Sequence, residues 1–319
     1  MITFLKRILI PFLCVPLVVL TACSEESQSE KFKSESIEIN NDSEVNIVPL
    51  YSPYQKYLKA SLKDNDIEVS KQNYIKYVLN DIDKTGEKED FDTTSLKGFF
   101  MLQSTAYQQA LLDRIDALEE RQDEIKKIIT KNYTAAHKVL PKKKSTIFIV
   151  PINSEYTTMT EPMGGVAAGT YKDAVVLYLA DDFDKDALAY TVAHEYHHLI
   201  LQDRPEYQMN KLLDSVIIEG KADAFADRVL KNVKAPWDEP MDDTTIKHVA
   251  KLIQTGEATY EDLVGGSPQK GIPRWSNYNL GHDILNHYFK LHPDSKIEEW
   301  SFKGEADLLK GYKYQKLLQ

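Results

Sequence analysis

Residues 184–203 read DKDALAYTVAHEYHHLILQD, and the remainder of the chain makes chemical sense around them. Within this run His194, Glu195 and His198 spell H-E-x-x-H. Four residues of α-helix advance about 400°, so the two histidines lie roughly 40° apart around the axis and about 6 Å apart along it. Two imidazoles so placed can both reach one zinc ion at about 2.0–2.1 Å. Glu195 sits beside them, where it can take a proton from a metal-activated water. The segment has the other marks of a helix. Asp182 or Asp184 can cap its start, and Asp186 favours the positive end of the dipole. Ala189, Val192, Ala193, Tyr196, Leu199 and Ile200 fall away from the two histidines. That pattern predicts a helix packed into a core by one face, with its metal-binding face toward a cleft.

A catalytic zinc takes three protein ligands and keeps one position open. The next helical pattern, Leu212–Val229 (LLDSVIIEGKADAFADRV), offers the third. Glu219 follows the apolar run Val216-Ile217-Ile218 directly, an odd place for a carboxylate unless it is partnered. Asp223 lies one turn on, where it can accept the other ring N–H of a zinc histidine and fix its tautomer. Asp227 is a further turn along. The alternative makes Glu219 an ordinary helix carboxylate paired with Lys221 or Arg228.

These residues carry a resemblance. H-E-x-x-H followed by a Glu on the next helix, with E-x-x-x-D spacing, resembles the gluzincin zinc metallopeptidases. More narrowly, the runs TVAHEYHHLI, LLDSVIIEGKADAFAD and YNLGHDIL resemble a bacterial domain-of-unknown-function family of predicted zinc-dependent proteases. The resemblance spans residues from about Tyr51 to Tyr314, with its specific motifs between Gly164 and Ile284. It implies that His194, His198 and Glu219 bind one zinc ion and that Glu195 is the catalytic base. It also implies an edge strand that pairs with extended peptide substrate. Gly165–Gly169, beginning at Gly165 and Val166, or part of Asp173–Ala180, is the candidate for that strand, by main-chain pairing on an open edge. A plain glycine turn is the alternative.

The first 22 residues read as a signal peptide. Lys6 and Arg7 precede the apolar run Ile8–Leu20, which is interrupted by Pro11 and Pro16. As a helix that run spans about 20 Å, short of a bilayer core of roughly 30 Å. Leu20-Thr21-Ala22-Cys23 resembles a bacterial lipobox, with cleavage before Cys23 and lipid attached to it. Residues 23–50, opening with the polar run Ser24–Ser36, are expected to form a flexible tether. The predicted location is extracytoplasmic, with the chain anchored to the bacterial cell membrane by the lipid at Cys23.

Of two cysteines, Cys14 leaves with the signal peptide and Cys23 takes the lipid. The mature chain would then have no thiol for a disulfide, a nucleophile or a structural zinc. Formal charge is −10, and loss of Lys6 and Arg7 makes it more acidic. That balance argues against nucleic-acid binding.

Residues 51–319 are expected to form one α+β, mostly helical, zincin-like domain with a small mixed sheet beside the motif helix. Residues 51–140 would be its helical part and residues 141–319 its catalytic part. Periodic apolar positions run through Tyr51–His137, with 83–92 (DKTGEKEDFD) as a loop and 96–137 as one long helical run. Thr146–Val150 and Asp173–Ala180 read as strands. Beyond Glu219, Thr244–Ile253 is a short helix, Tyr278–Leu291 a longer one and Phe302–Leu318 a closing helix. Tyr278 and His282 share a face of the helix over 278–291. They are the candidate donors to the oxyanion that forms on an attacked carbonyl, ahead of Arg274.

The leading function is a membrane-anchored zinc metallopeptidase acting on peptide or protein substrates. A non-catalytic zinc-binding surface lipoprotein is the alternative of a different class. A zinc hydrolase for another amide, such as one in a cell wall, is a third.

Overall fold

Five strands form one mixed sheet in the computed structural model, which describes residues 33–64, 66–204 and 209–319. They are β1 (Glu35–Asn40), β2 (Ser43–Pro49), β3 (Lys144–Pro151), β4 (Val166–Tyr171) and β5 (Ala174–Leu179). Their order across the sheet is β1-β2-β3-β5-β4. β2, β3 and β5 run parallel, whereas β1 and β4 are antiparallel edges. β3 and β5 have a neighbour on each side and are buried on both faces. For that reason KSTIFIVP and AVVLYL are unbroken apolar runs rather than alternating ones.

β1 and β2 correct the tether expected over residues 23–50. Ile37 and Ile39 alternate with Ser36, Glu38 and Asn40, and only the isoleucines turn toward the core. The later part of the expected tether, Glu35–Asn40, is here a polar edge strand with period two. Val45, Ile47 and Val48 of β2 are core residues. The signal peptide 1–22, Cys23 and the start of the tether lie outside the described residues. Among the described residues no helix is long and apolar enough to cross a membrane.

The parallel step from β2 to β3 is made through a helical layer, as parallel pairing requires. It contains α1 (Tyr51–Ser61), α2 (Ile67–Tyr74), α3 (Asn80–Glu89), α4 (Gln108–Glu120) and α5 (Gln122–His137). A π-turn, Ile75–Leu79, joins α2 to α3. The loop expected over 83–92 is therefore mostly helix. Gly86 is there for close approach, since a Cβ would come within 2.4 Å of the Thr93 methyl. The long run 96–137 is turns and bends over 98–107, becomes helix at Gln108 and breaks again at Arg121. Its guanidinium donates to the Asp181 and Phe183 carbonyls at 2.7 and 3.3 Å, and it stacks on the Phe183 ring. The break in the helical layer thus fixes the loop that leads into the motif helix. The described residues make one unit.

The motif helix α6 (Lys185–Gln202) starts where Asp184 accepts the Ala187 N–H at 2.8 Å. It is buried all round from Ala187 to Leu201, rather than along one face as expected. α5 covers one side, with Tyr133 and Tyr196 rings 4.8 Å apart edge to face, and α7 (Leu212–Val229) covers another. Among the helices that follow are α8 (Asp243–Thr255) and α9 (Ser276–Leu291). The closing helix expected over 302–318 is reduced to single turns at Glu305–Leu308 and Gln315–Leu318.

α7 and α9 cross with their backbones touching at Gly220 and Gly281. A Cβ on Gly220 would lie 2.4 Å from the Gly281 carbonyl carbon, and one on Gly281 would lie 2.2 Å from the Val216 oxygen. Backbone cannot yield as a side chain does, so an added methyl must separate the helices. Gly220→Ala is expected to lower stability by about 1–3 kcal/mol and, because Glu219 is its neighbour, to weaken metal binding as well. A thermal melt and a metal titration of this variant check both; an unchanged melt contradicts the crossing.

Candidate metal centre

α6 and α7 lie side by side and bring three ligand atoms into a triangle. His194 Nε2 lies 3.0 Å from Glu219 Oε2 and 3.0 Å from His198 Nε2, and His198 Nε2 lies 3.4 Å from Glu219 Oε2. Ligands about 2.0–2.1 Å from a tetrahedral ion stand about 3.3 Å from one another, so the triangle is the right size for one small cation. His194, Glu195 and His198 also present ligand atoms within 4.8 Å of one another. Glu219 is nonetheless better placed to serve as a third ligand. Its oxygen faces both imidazoles, whereas the Glu195 carboxylate is held by the Thr170 hydroxyl at 2.6 Å.

The charges point the same way. Glu195, Glu219 and Asp223 are all buried, and among the described residues none is paired with a lysine or arginine. Buried carboxylates need opposite charge or neutralisation. A divalent cation at the triangle would supply it. The Glu219 alternative of pairing with Lys221 or Arg228 is not what the fold does. Lys221 donates to the Lys303 carbonyl at 2.7 Å, and Arg228 stacks on Phe289.

Asp223 Oδ1 lies 2.9 Å from His194 Nδ1, where it accepts that nitrogen's proton and turns Nε2 toward the triangle. Trp237 Nε1 donates to both Asp223 oxygens at 3.2 Å, and its ring stands edge to face on His194. Burial opposes charge on His194, but Asp223 and Glu219 outweigh it and raise the imidazole to about 10. Burial likewise opposes charge on Glu219, yet His198 and His194 outweigh it and lower the carboxyl to about 2. His197, the third histidine of the run, turns away to Ser301 at 3.1 Å, and burial holds it well below its usual range.

The remaining expected residues divide. Tyr278 borders the triangle, its ring 5.9 Å from that of His194 and 5.1 Å from that of Trp237. Burial, and then Glu219, push its phenol well above the ordinary value, so it stays a donor. His282 does not join it. Its Nε2 bonds Asp227 at 3.0 Å, and that carboxylate raises the imidazole. Arg274 donates to the Met159 carbonyl at 2.9 Å.

Gly165 is corrected from substrate strand to turn. Its φ is +68°, its N–H donates to Thr160 and its carbonyl accepts from Ala180. Both of its backbone groups are thus taken. β5 is also ruled out as the open edge, because it lies between β3 and β4. The edge is β4, which begins at Val166. Bonding of Gly165 to Ala180 sets the ladder so that the backbone groups of Val166, Ala168 and Thr170 point outward. The Thr170 carbonyl accepts from Gln202 at 2.9 Å, which closes that end. Three neighbours of the site escaped the sequence analysis: Thr170, Trp237 and Tyr190. Only Tyr190 gave a signal, lying one turn before His194 on the same helix face.

The family model described as predicted Zn-dependent protease (DUF2268) matches residues 125–310, more than half of the chain. The chain belongs to that family. No curated protein and no solved structure matches it. The family match takes in β3, β4 and β5, the two site helices and α9, so a family of predicted zinc-dependent proteases and a triangle of zinc-sized edges coincide on the same residues.

Because His194 binds its proton up to about pH 10, metal must displace that proton at neutral pH, and acid must favour the proton over the metal. Loading zinc at pH 7 is expected to release about one proton. Calorimetry in buffers of different ionisation enthalpy measures the release. Heats independent of buffer would contradict the protonation state described here.

Proposed function

We propose that this chain is a gluzincin-type zinc metallopeptidase, held outside the cytoplasmic membrane by a lipid on Cys23. The observation that carries the reading is the triangle of His194 Nε2, His198 Nε2 and Glu219 Oε2, with Glu195 beside it and Asp223 behind it. The lipid anchor is supported by the sequence Leu20-Thr21-Ala22-Cys23 and the apolar run before it.

When bound, zinc supplies a Lewis acid that activates water and polarises the carbonyl to be attacked. His194, His198 and Glu219 would hold it, and Asp223 would keep His194 in the ligating tautomer. Glu195 removes a proton from the attacking water and hands it to the leaving amine. The Thr170 hydroxyl orients the Glu195 carboxylate for both transfers. Val166 and Ala168 on the outer edge of β4 pair with the main chain of an extended peptide, which positions its carbonyl near Glu195. Tyr278, a permanent donor next to His194, stabilises the negative charge that builds on the carbonyl oxygen. His282 is too committed to Asp227 for that part.

The test separates metal from chemistry. Glu195→Gln is expected to keep one zinc per chain and to lose about 10²–10⁴-fold in cleavage of a peptide library. Glu219→Gln is expected to lose zinc and activity together. Elemental analysis with mass-spectrometric readout of the digest measures both. Cleavage by Glu195→Gln at the wild-type rate rules the mechanism out.

A further inference from the structure

Behind His194 the polar contacts continue past Asp223. Tyr190 lies one helical turn before His194, and its hydroxyl is 3.4 Å from Asp223 Oδ1, 3.2 Å from the Asp223 carbonyl and 3.1 Å from Asp227 Oδ1. Asp227 follows Asp223 by one turn of α7, and its second oxygen meets His282 Nε2 of α9 at 3.0 Å. Asn286 Nδ2 stands 3.4 Å from the same nitrogen. A polar cavity of about 250 Å³, lined by Tyr190, Asp223, Asp227, Trp237, Asn279 and His282 among others, runs along this line.

Burial and two carboxylates push the Tyr190 phenol far above its ordinary value, so it stays protonated and donates toward the carboxylates. It has one proton, shared between Asp227 at 3.1 Å and the Asp223 carbonyl and Oδ1 at 3.2 and 3.4 Å. His282 satisfies the second oxygen of Asp227 from the far side, which lessens the demand of Asp227 on that proton and leaves Tyr190 in contact with Asp223. Asp223 is then gripped from two directions, by Trp237 and by Tyr190, and its Oδ1 stays on His194.

We infer that Tyr190, Asp227 and His282 are positioning residues of the metal centre, holding the Asp223 carboxylate on His194 Nδ1 from the rear of the site. The inference rests on the reading of His194 as a zinc ligand. It gives His282 a definite part that is neither a ligand nor an oxyanion donor. The competing view is a staple that only ties α6, α7 and α9 together. A staple lowers stability and leaves the zinc affinity of the folded protein alone.

The experiment measures zinc affinity by competition with a chromophoric chelator, at one pH, alongside the melting temperature of the metal-free chain. The variants are Tyr190→Phe, His282→Ala, His282→Gln, Asp223→Ala and the pair Tyr190→Phe/Asp223→Ala. Tyr190→Phe is expected to weaken zinc about tenfold, the lower end of what loss of an outer partner costs. His282→Ala should weaken it about threefold, and His282→Gln should recover most of that, because an amide N–H still donates to Asp227. Once Asp223 is Ala, adding Tyr190→Phe should cost nothing more, since the path runs through Asp223. Affinities within about twofold of wild type for Tyr190→Phe, or fully multiplicative losses in the double variant, overturn the inference. A wild-type chain that binds no zinc at all removes the metal reading and this inference with it.

Discussion

Three buried carboxylates, Glu195, Glu219 and Asp223, share the space between α6 and α7 with two imidazoles and neither a lysine nor an arginine in ion-pair contact. Concentrating that much negative charge away from water costs several kcal/mol per uncompensated ion. The arrangement is stable where a cation, or protons standing in for it, balances the charge. Much of the surrounding structure serves this balance. Thr170 holds one carboxylate, the imidazoles hold the second, and Trp237 with His194 holds the third. The burial of α6 on every side keeps water from screening the interaction.

Geometry at longer range keeps the triangle closed. The Gly220–Gly281 contact lets α9 approach α7 closely enough to set Tyr278 against His194. Gly164 and Gly165, both at positive φ, fold the chain back so that β4 starts on the edge of the sheet beside α6. Arg121 fixes the loop from which the motif helix starts. The sheet and the helical layer therefore act as a frame that positions two helices, and those helices position five polar side chains.

Much of this was legible from sequence because the site's chemistry is local in the chain. H-E-x-x-H fixes the placing of two imidazoles by helix geometry alone, and E-x-x-x-D does the same for Glu219 and Asp223. The apolar runs of β3 and β5 showed two strands of the sheet, though not that they pair in parallel. What escaped depends on contacts across the fold. β1 was hidden because Ile37 and Ile39 are diluted by charge, and an edge strand carries only half the usual apolar signal. Gly165 looked like a strand residue because sequence does not reveal a positive φ. His282 was put on the reacting side of the helix over 278–291, since nothing in the chain shows that Asp227 of another helix waits for it. The break at Arg121 is set by carbonyls some sixty residues away.

The central claim is that His194, His198 and Glu219 jointly hold one cation. Anomalous diffraction at the zinc edge from crystals of the zinc-loaded chain addresses it directly. A single peak within about 2.0–2.2 Å of His194 Nε2, His198 Nε2 and a Glu219 oxygen is the expected result. A peak held by Glu195 with Glu219 turned away, or one seated at Asp227 and His282, would contradict the account.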